Sequence, residues 1–367
     1  MSSNVENTLG QKGTMALGSK YVSLQKDIIL HIGQQKTGTS SLQHVLKDSV
    51  AFLASIGICY PEKCRNGPGH HHIANFFNSK LRESSAKFGK YADNMEVLQR
   101  EISEWEHKIL LSSEGFQNAN PSLLREVFSP NRTHVIVYIR EQLDFALSAY
   151  AQGVQSHKTH CSMAAFLRQG FNPNYSAFLN NWKTQFNPAS LIVRVYDHEE
   201  LYARDVVRDF FQVLGLDDTG IHYDGRDKNP SIGGSLLEFK RSINRLDIPQ
   251  PVLLKASYRA LRHLAGSAEK FRRKPVLPES EAQAFRRQFC ESNQDVALEY
   301  FDRKTLFAEK PIPLTSCTEF VFEKDVVEIL TYLRNESDSN FYKIIEHYLT
   351  EEFAEADPQL AIIRQNL

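Results

Sequence analysis

Four groups of residues in this chain could do chemistry. The densest lies between Gly33 and Ser41, where Lys36 brings a full positive charge and Thr37, Thr39, Ser40 and Ser41 bring hydroxyls, with Gly33 and Gly38 to bend the backbone. The second is Arg140 with Ser148. An arginine at a strand end and a serine two turns into the next helix can hold one anion from two sides, and a guanidinium fork gives both charge and paired hydrogen bonds. The third is Glu114, a carboxylate able to take a proton. The fourth is the run His70, His71, His72, which cannot all share one face, so only one or two can serve one ligand.

The elements that must position these residues can be read from the hydrophobic pattern. Ile28 to Ile32 is a short apolar strand, and a helix opens near Thr39. A strand feeding a glycine-containing loop into a helix N-terminus makes an anion site, because backbone N–H groups and the helix dipole point at one spot. Gly33 and Gly38 have the spacing of G-x-x-x-x-G-K-[ST], but position 39 is threonine and the lysine stands inside the loop. An ATPase or kinase needs its lysine on the β- and γ-phosphates and its hydroxyl on magnesium. A lysine placed earlier can instead face the bridging oxygen of a group in transfer.

Further apolar runs at 58–61, 108–113 (KILLSS), 134–139 (HVIVYI) and 191–196 (LIVRVY) alternate with helical stretches at 39–56, 94–107, 121–128, 162–169, 174–186 and 204–214. Strands alternating with helices imply an α/β fold, P-loop-like and three-layered, with a central, mostly parallel sheet flanked by helices. In such sheets ligands bind beyond the C-terminal strand ends. Lys36, Glu114, Arg140 and Tyr196 all fall at or just past such ends and are expected in one cleft. Residues 1–25 read as a polar, loose tail, 26–235 as the core that carries the phosphate loop, and 236–367 as a helical extension packed on it, with helices at 236–248, 252–265, 280–300 and 324–352.

Composition narrows the classes. The 367 residues are 41% hydrophobic and 24% charged, with a formal net charge of −1, which excludes a generally basic nucleic-acid binder. The five cysteines are odd in number and scattered, so a reducing compartment fits better than a disulfide framework. Cys59 and Cys64 before the histidine run match no common zinc spacing, and no metal is expected. No run approaches a membrane span, and a cytoplasmic protein is expected.

The strings HIGQQKTGTSSLQ and VIVYIREQLDFALSAY resemble the 5′-phosphosulfate loop and the 3′-phosphate site of the sulfotransferases that use 3′-phosphoadenosine-5′-phosphosulfate (PAPS). More diffusely, YSAFLNNWKTQF, the 191–216 unit and FCESNQDVALEYF look like bacterial sulfotransferases of the carbohydrate-modifying type. The resemblance implies sulfuryl transfer from PAPS to a hydroxyl or amine of an acceptor, expected to be a carbohydrate or polysaccharide, with release of adenosine 3′,5′-bisphosphate. It implies Lys36 at the breaking bond, Thr37 to Ser41 on the 5′ side, and Arg140 with Ser148 on the second phosphate. The family's general base is a histidine or a glutamate; Glu114 holds the position here, with His72 and its neighbours His70 and His71 as rivals or acceptor ligands. Tyr196, in VYDHEEL, either stacks on adenine or packs in the core. Arg226 and Lys228 stand in for a basic loop of the cytosolic members that this chain does not reproduce. The basic tract from Tyr258 to Lys274 either receives a polyanion or is a solvated helix face. A nucleotide-dependent kinase and a non-catalytic nucleotide- or glycan-binding relative are the alternatives.

Overall fold

The computed structural model describes residues 25–83, 86, 88–217, 220, 221, 223, 231–275, 277–309, 319–336 and 340–367. The tail at 1–24, Arg226 and Lys228 lie outside the described residues. The strands are β1 (Ile28–His31), β2 (Ile58–Cys59), β3 (Lys108–Ser112), β4 (Thr133–Ile139) and β5 (Ser190–Val195). They form a central five-stranded sheet in the order β2-β3-β1-β4-β5, flanked by helices. β1 pairs in parallel with both β3 and β4, and β2 with β3. Ala189 donates to the Thr133 carbonyl where β5 begins and Tyr196 to that of Ile139 where it ends, so β5 runs the same way. This is the α/β architecture expected from the alternating apolar runs.

Every residue of β1 is buried, as are Ile109, Leu110, Leu111 and the last five residues of β4. Strands covered on both faces read as unbroken apolar runs, which is why the pattern announced them. The chain goes from β1 outward to one side for β2 and β3, then to the other for β4 and β5. The strand order therefore reverses next to β1, the place where open α/β sheets receive ligands. The loop after β1 carries Lys36.

By contacts the chain divides into two compact units: residues up to Gln35 with Leu42–Val137 and Asn180–Ile192, and Lys36–Ser41 with Tyr138–Leu179 and Val193–Leu367. In the first, β1 to β3 and the first part of β4 share a core with Leu42, Leu46, Leu53, Met95, Leu98 and Ile102. In the second, the helices Gly234–Ile243, Gln250–Ser267, Glu319–Asn335 and Phe341–Tyr348 bury Leu236, Phe239, Leu261, Ile329 and Ile345 together with Leu143, Leu147 and Tyr150 of helix Gln142–Gln155.

Several helix bounds differ from the expected ones. The stretch expected as one helix from Thr39 to Ile56 is Thr39–Asp48 and Val50–Ser55, kinked at Ser49 (φ −105°, ψ 17°) while the bonds Ser49 to Val45 and Leu53 to Ser49 continue through it. Residues 280–300 are two helices, Glu279–Arg287 and Cys290–Phe301. Among the described residues, no helix is long and apolar enough to cross a membrane.

Candidate active site

The first cluster is built on the end of β3. Ser112 ends the strand, and Ser113 caps the short 3₁₀ turn Glu114–Asn118 by accepting from the Gly115 N–H at 3.0 Å. This fixes Glu114 just past the strand. Its Oε2 accepts from Gln43 Nε2 at 3.0 Å and lies 3.8 Å from His71 Nδ1. His71 Nδ1 is 2.8 Å from Ser113 Oγ. Glu114 is about a third exposed (33%), so its carboxylate is reachable. Gly33, at φ +93°, packs directly on it: a Cβ there would sit 2.9 Å from the Glu114 Cα. Only glycine permits both that φ and that approach.

The three histidines are parted by their backbone setting. His70 is fully buried; its Nδ1 accepts from the Ser112 N–H at 3.2 Å and its Nε2 donates to the Pro61 carbonyl at 3.0 Å. Both nitrogens are taken, and burial pushes its pKa down to about 3. His70 is therefore a neutral post between two backbone segments, with no nitrogen left for an acceptor, contrary to the expectation that it binds one. His72 turns toward Tyr91, ring centroids 5.6 Å apart, and burial followed by the Lys90 charge lowers its pKa. His71 is the histidine placed beside Glu114. His31, within β1, bonds Ser112 Oγ at 2.7 Å and is held neutral by burial, its pKa lowered to about 3.

The second cluster lies on the phosphate loop. Lys36 (φ 65°) and Gly38 (φ 74°) both adopt the left-handed conformation, turning the loop into helix Thr39–Asp48. That helix has no acidic residue in its first turn, so no carboxylate of its own offsets the positive end of its dipole. Thr37 and Thr39 are buried, Ser41 is half-buried and Ser40 exposed. Arg140 Nη1 donates to the Lys36 carbonyl at 2.8 Å, and its guanidinium lies 5.5 Å from the centre of the Tyr196 ring. The Arg140 carbonyl in turn accepts from Tyr175 Oη at 2.5 Å, and Tyr175 is fully buried. Ser148 stands half-buried on helix Gln142–Gln155.

Packing explains why Gly38 is glycine. A Cβ there would lie 2.7 Å from Val206 Cγ1 and 3.2 Å from the Tyr196 ring. Val206 opens helix Val206–Val213, which is pinned by its own buried carboxylate. Asp209 accepts from Tyr138 Oη at 2.9 Å, Arg194 Nε at 3.0 Å and the Tyr202 N–H at 2.8 Å, so this buried charge is paired and fully bonded. Burial, together with the Asp209 charge and the bond to it, raises the Tyr138 phenol well above its ordinary value.

Sequence reasoning missed Gln43, Ser113, Tyr175 and Asp209. Gln43 carries a faint signal, a glutamine directly after Leu42 in the buried register of its helix; the others carry none, since each acts through a partner far along the chain. The basic tract is partly neutralised: Lys270 pairs with Asp325 and Glu328, and Lys274 with Asp144. Among the described residues, no group of three or more His, Cys, Asp or Glu is disposed to hold a metal ion.

No protein-family model matches the chain. An uncharacterised protein of Archaeoglobus fulgidus is 28% identical over 264 residues, covering 66% of this chain and 71% of that protein. Among solved structures, the crystal structure of a sulfotransferase from Alicyclobacillus acidocaldarius is similar at a TM-score of 0.36 and 18% identity, over 56% of this chain and 87% of that one.

Proposed function

We propose that the protein moves the sulfuryl group of PAPS to a hydroxyl or amine of an acceptor, with carbohydrates as the first class to test. The observation that carries this reading is the bond from Arg140 to the Lys36 carbonyl at 2.8 Å. It brings a second cation onto a phosphate loop whose lysine is not at the position ATP-hydrolysing loops require, as a donor with two separate phosphate groups would need. The donor set also fits: two cations, the hydroxyls of Thr37 to Ser41, and a helix N-terminus without a carboxylate in its first turn.

PAPS, when bound, supplies an activated sulfuryl group on its 5′-phosphate. Lys36 neutralises the negative charge that develops on the departing phosphate oxygen, and the N–H groups opening helix Thr39–Asp48 share that task. Arg140 with Ser148 receives the 3′-phosphate, and the Tyr196 ring walls the loop beside Gly38. Glu114 takes the proton of the acceptor hydroxyl as its oxygen bonds to sulfur and the bond to the phosphate oxygen breaks. His71, rather than His70 or His72, is the histidine able to bind the acceptor beside Glu114.

Calorimetry with adenosine 3′,5′-bisphosphate, with and without magnesium, tests the donor half. We expect binding at micromolar concentrations that magnesium does not change and that Arg140→Ala weakens. ATP binding tighter than bisphosphate binding and dependent on magnesium would replace this reading with a kinase. A screen of sugars, polysaccharides, lipids and phenols with labelled PAPS then identifies the acceptor.

A further inference from the structure

We propose that Gln43 is a positioning residue for Glu114, selecting which carboxylate oxygen receives the acceptor proton. This rests on the sulfuryl-transfer reading above. Gln43 is only 2% exposed, and its Nε2 stands 3.0 Å from Glu114 Oε2. A carboxylate is an acceptor only, so the amide must face it with its nitrogen; the flipped amide would set two oxygens against each other. The other end of the amide is confined as well: a Cβ on Gly69 would lie 2.8 Å from Gln43 Oε1. Gly33 walls Glu114 in the same way, at 2.9 Å from its Cα. Both groups of the pair therefore sit in slots that glycines keep open.

The consequence is an asymmetric carboxylate. The Gln43 bond falls on Oε2, and the nearby His71 nitrogen also lies off Oε2. Among the described residues, Oε1 carries no hydrogen bond. Oε1 is thus the oxygen left for the proton, and Gln43 keeps Glu114 from rotating to exchange the two. Gln43 also stands in the first turns of helix Thr39–Asp48, the helix whose N-terminus faces the phosphate loop. The helix assigned to the donor phosphate therefore also carries the residue that holds the base.

The test is a double-mutant cycle on acceptor-free hydrolysis of PAPS to sulfate and bisphosphate, using Gln43→Met, Glu114→Gln and the double variant. Gln43→Met nearly keeps the side-chain volume and loses the donor without adding a charge; Gln43→Leu removes the amide with a branched side chain. We expect Gln43→Met and Gln43→Leu each to lower turnover about 10-fold or more, with affinity for adenosine 3′,5′-bisphosphate and thermal midpoint held near wild type. If Gln43 acts through Glu114, adding Gln43→Met to Glu114→Gln lowers turnover no further. A merely structural glutamine would instead lower the midpoint and add its loss in the double variant, which overturns the inference. Turnover lost in Glu114→Gln but retained in Gln43→Met overturns the positioning role and leaves the proposed function standing. Turnover retained in Glu114→Gln, or no bisphosphate binding by the wild type, overturns the base or the donor assignment and this inference with it.

Discussion

The two clusters hold their charged groups in opposite ways. Around Glu114, side chains hold side chains: Gln43 on one oxygen, His71 beside it, Ser113 under His71, and glycines lining the slot. Around Lys36, side chains hold the backbone: Arg140 grips a loop carbonyl, Tyr175 grips the carbonyl of Arg140, and a ring stands beside the guanidinium. A base has to present one lone pair in one direction, which takes neighbours on the carboxylate itself. A phosphate site has to present many donors in a fixed curve, which takes a loop held in one shape. The difference teaches that substitutions at the carboxylate should act on rate, and substitutions at the arginine on affinity.

The largest effects test that division most directly. Glu114→Gln should lower turnover by about 10² to 10⁴-fold, the range for a positioned general base, while leaving bisphosphate affinity unchanged in calorimetry. Lys36→Ala should lower turnover by about 10² to 10³-fold, as for loss of one donor to developing negative charge, because its work is in the transition state. Equal losses of affinity in these two variants would erase the distinction between the clusters. Arg140→Ala should behave the other way. Charge-assisted bonds are worth about 1.5–3 kcal/mol, so bisphosphate binding should weaken roughly 10- to 100-fold, with Arg140→Lys recovering only part through lack of the fork. An unchanged affinity in Arg140→Ala would show that the arginine serves the loop alone.

How much of this was legible beforehand depended on whether a residue's partner lies nearby in sequence. The five strands could be read because buried parallel strands are apolar throughout, and the loop could be read because glycines, lysine and hydroxyls are contiguous. Glu114 could be placed at a strand end but not given its partner, since Gln43 lies 71 positions away. The fates of His70 and His71 were equally hidden, because Ser112 and Ser113, 42 positions on, decide them, and His72 turns to Tyr91 instead. Asp209, on the helix expected at 204–214, is fully buried and ties that helix to Tyr138 and Arg194. Tyr175 reaches the Arg140 carbonyl, 35 positions away, which no local pattern announces.

The smallest expected effect separates the two units by pH. In the first unit, His31 and His70 have pKa values lowered to about 3, against an unfolded value near 6.5. The unfolded chain takes up these protons first, so stability is lost as pH falls from about 6.5 toward 3, and at neutral pH the two histidines cost almost nothing. In the second unit, burial lowers the Lys240 pKa from 10.5 to about 7. The unfolded chain binds this proton below about 10.5 and the folded chain only below about 7, so stability falls as pH drops across that window. At pH 7 the lysine therefore already carries nearly its full penalty. Lys240→Met should stabilise the protein by about 1–2 kcal/mol at pH 7 and by progressively less toward pH 10. The substitution orphans no acceptor, because Asn244 Oδ1, which Lys240 contacts, keeps its bond to His157 Nδ1 at 2.9 Å. Urea unfolding of wild type and Lys240→Met at pH 7 and 10 measures this, with His70→Gln measured at pH 7 and 4 as the acid-side counterpart. Parallel curves for wild type and Lys240→Met would mean that the buried lysine stays charged, and that both units draw their pH dependence from the acid side.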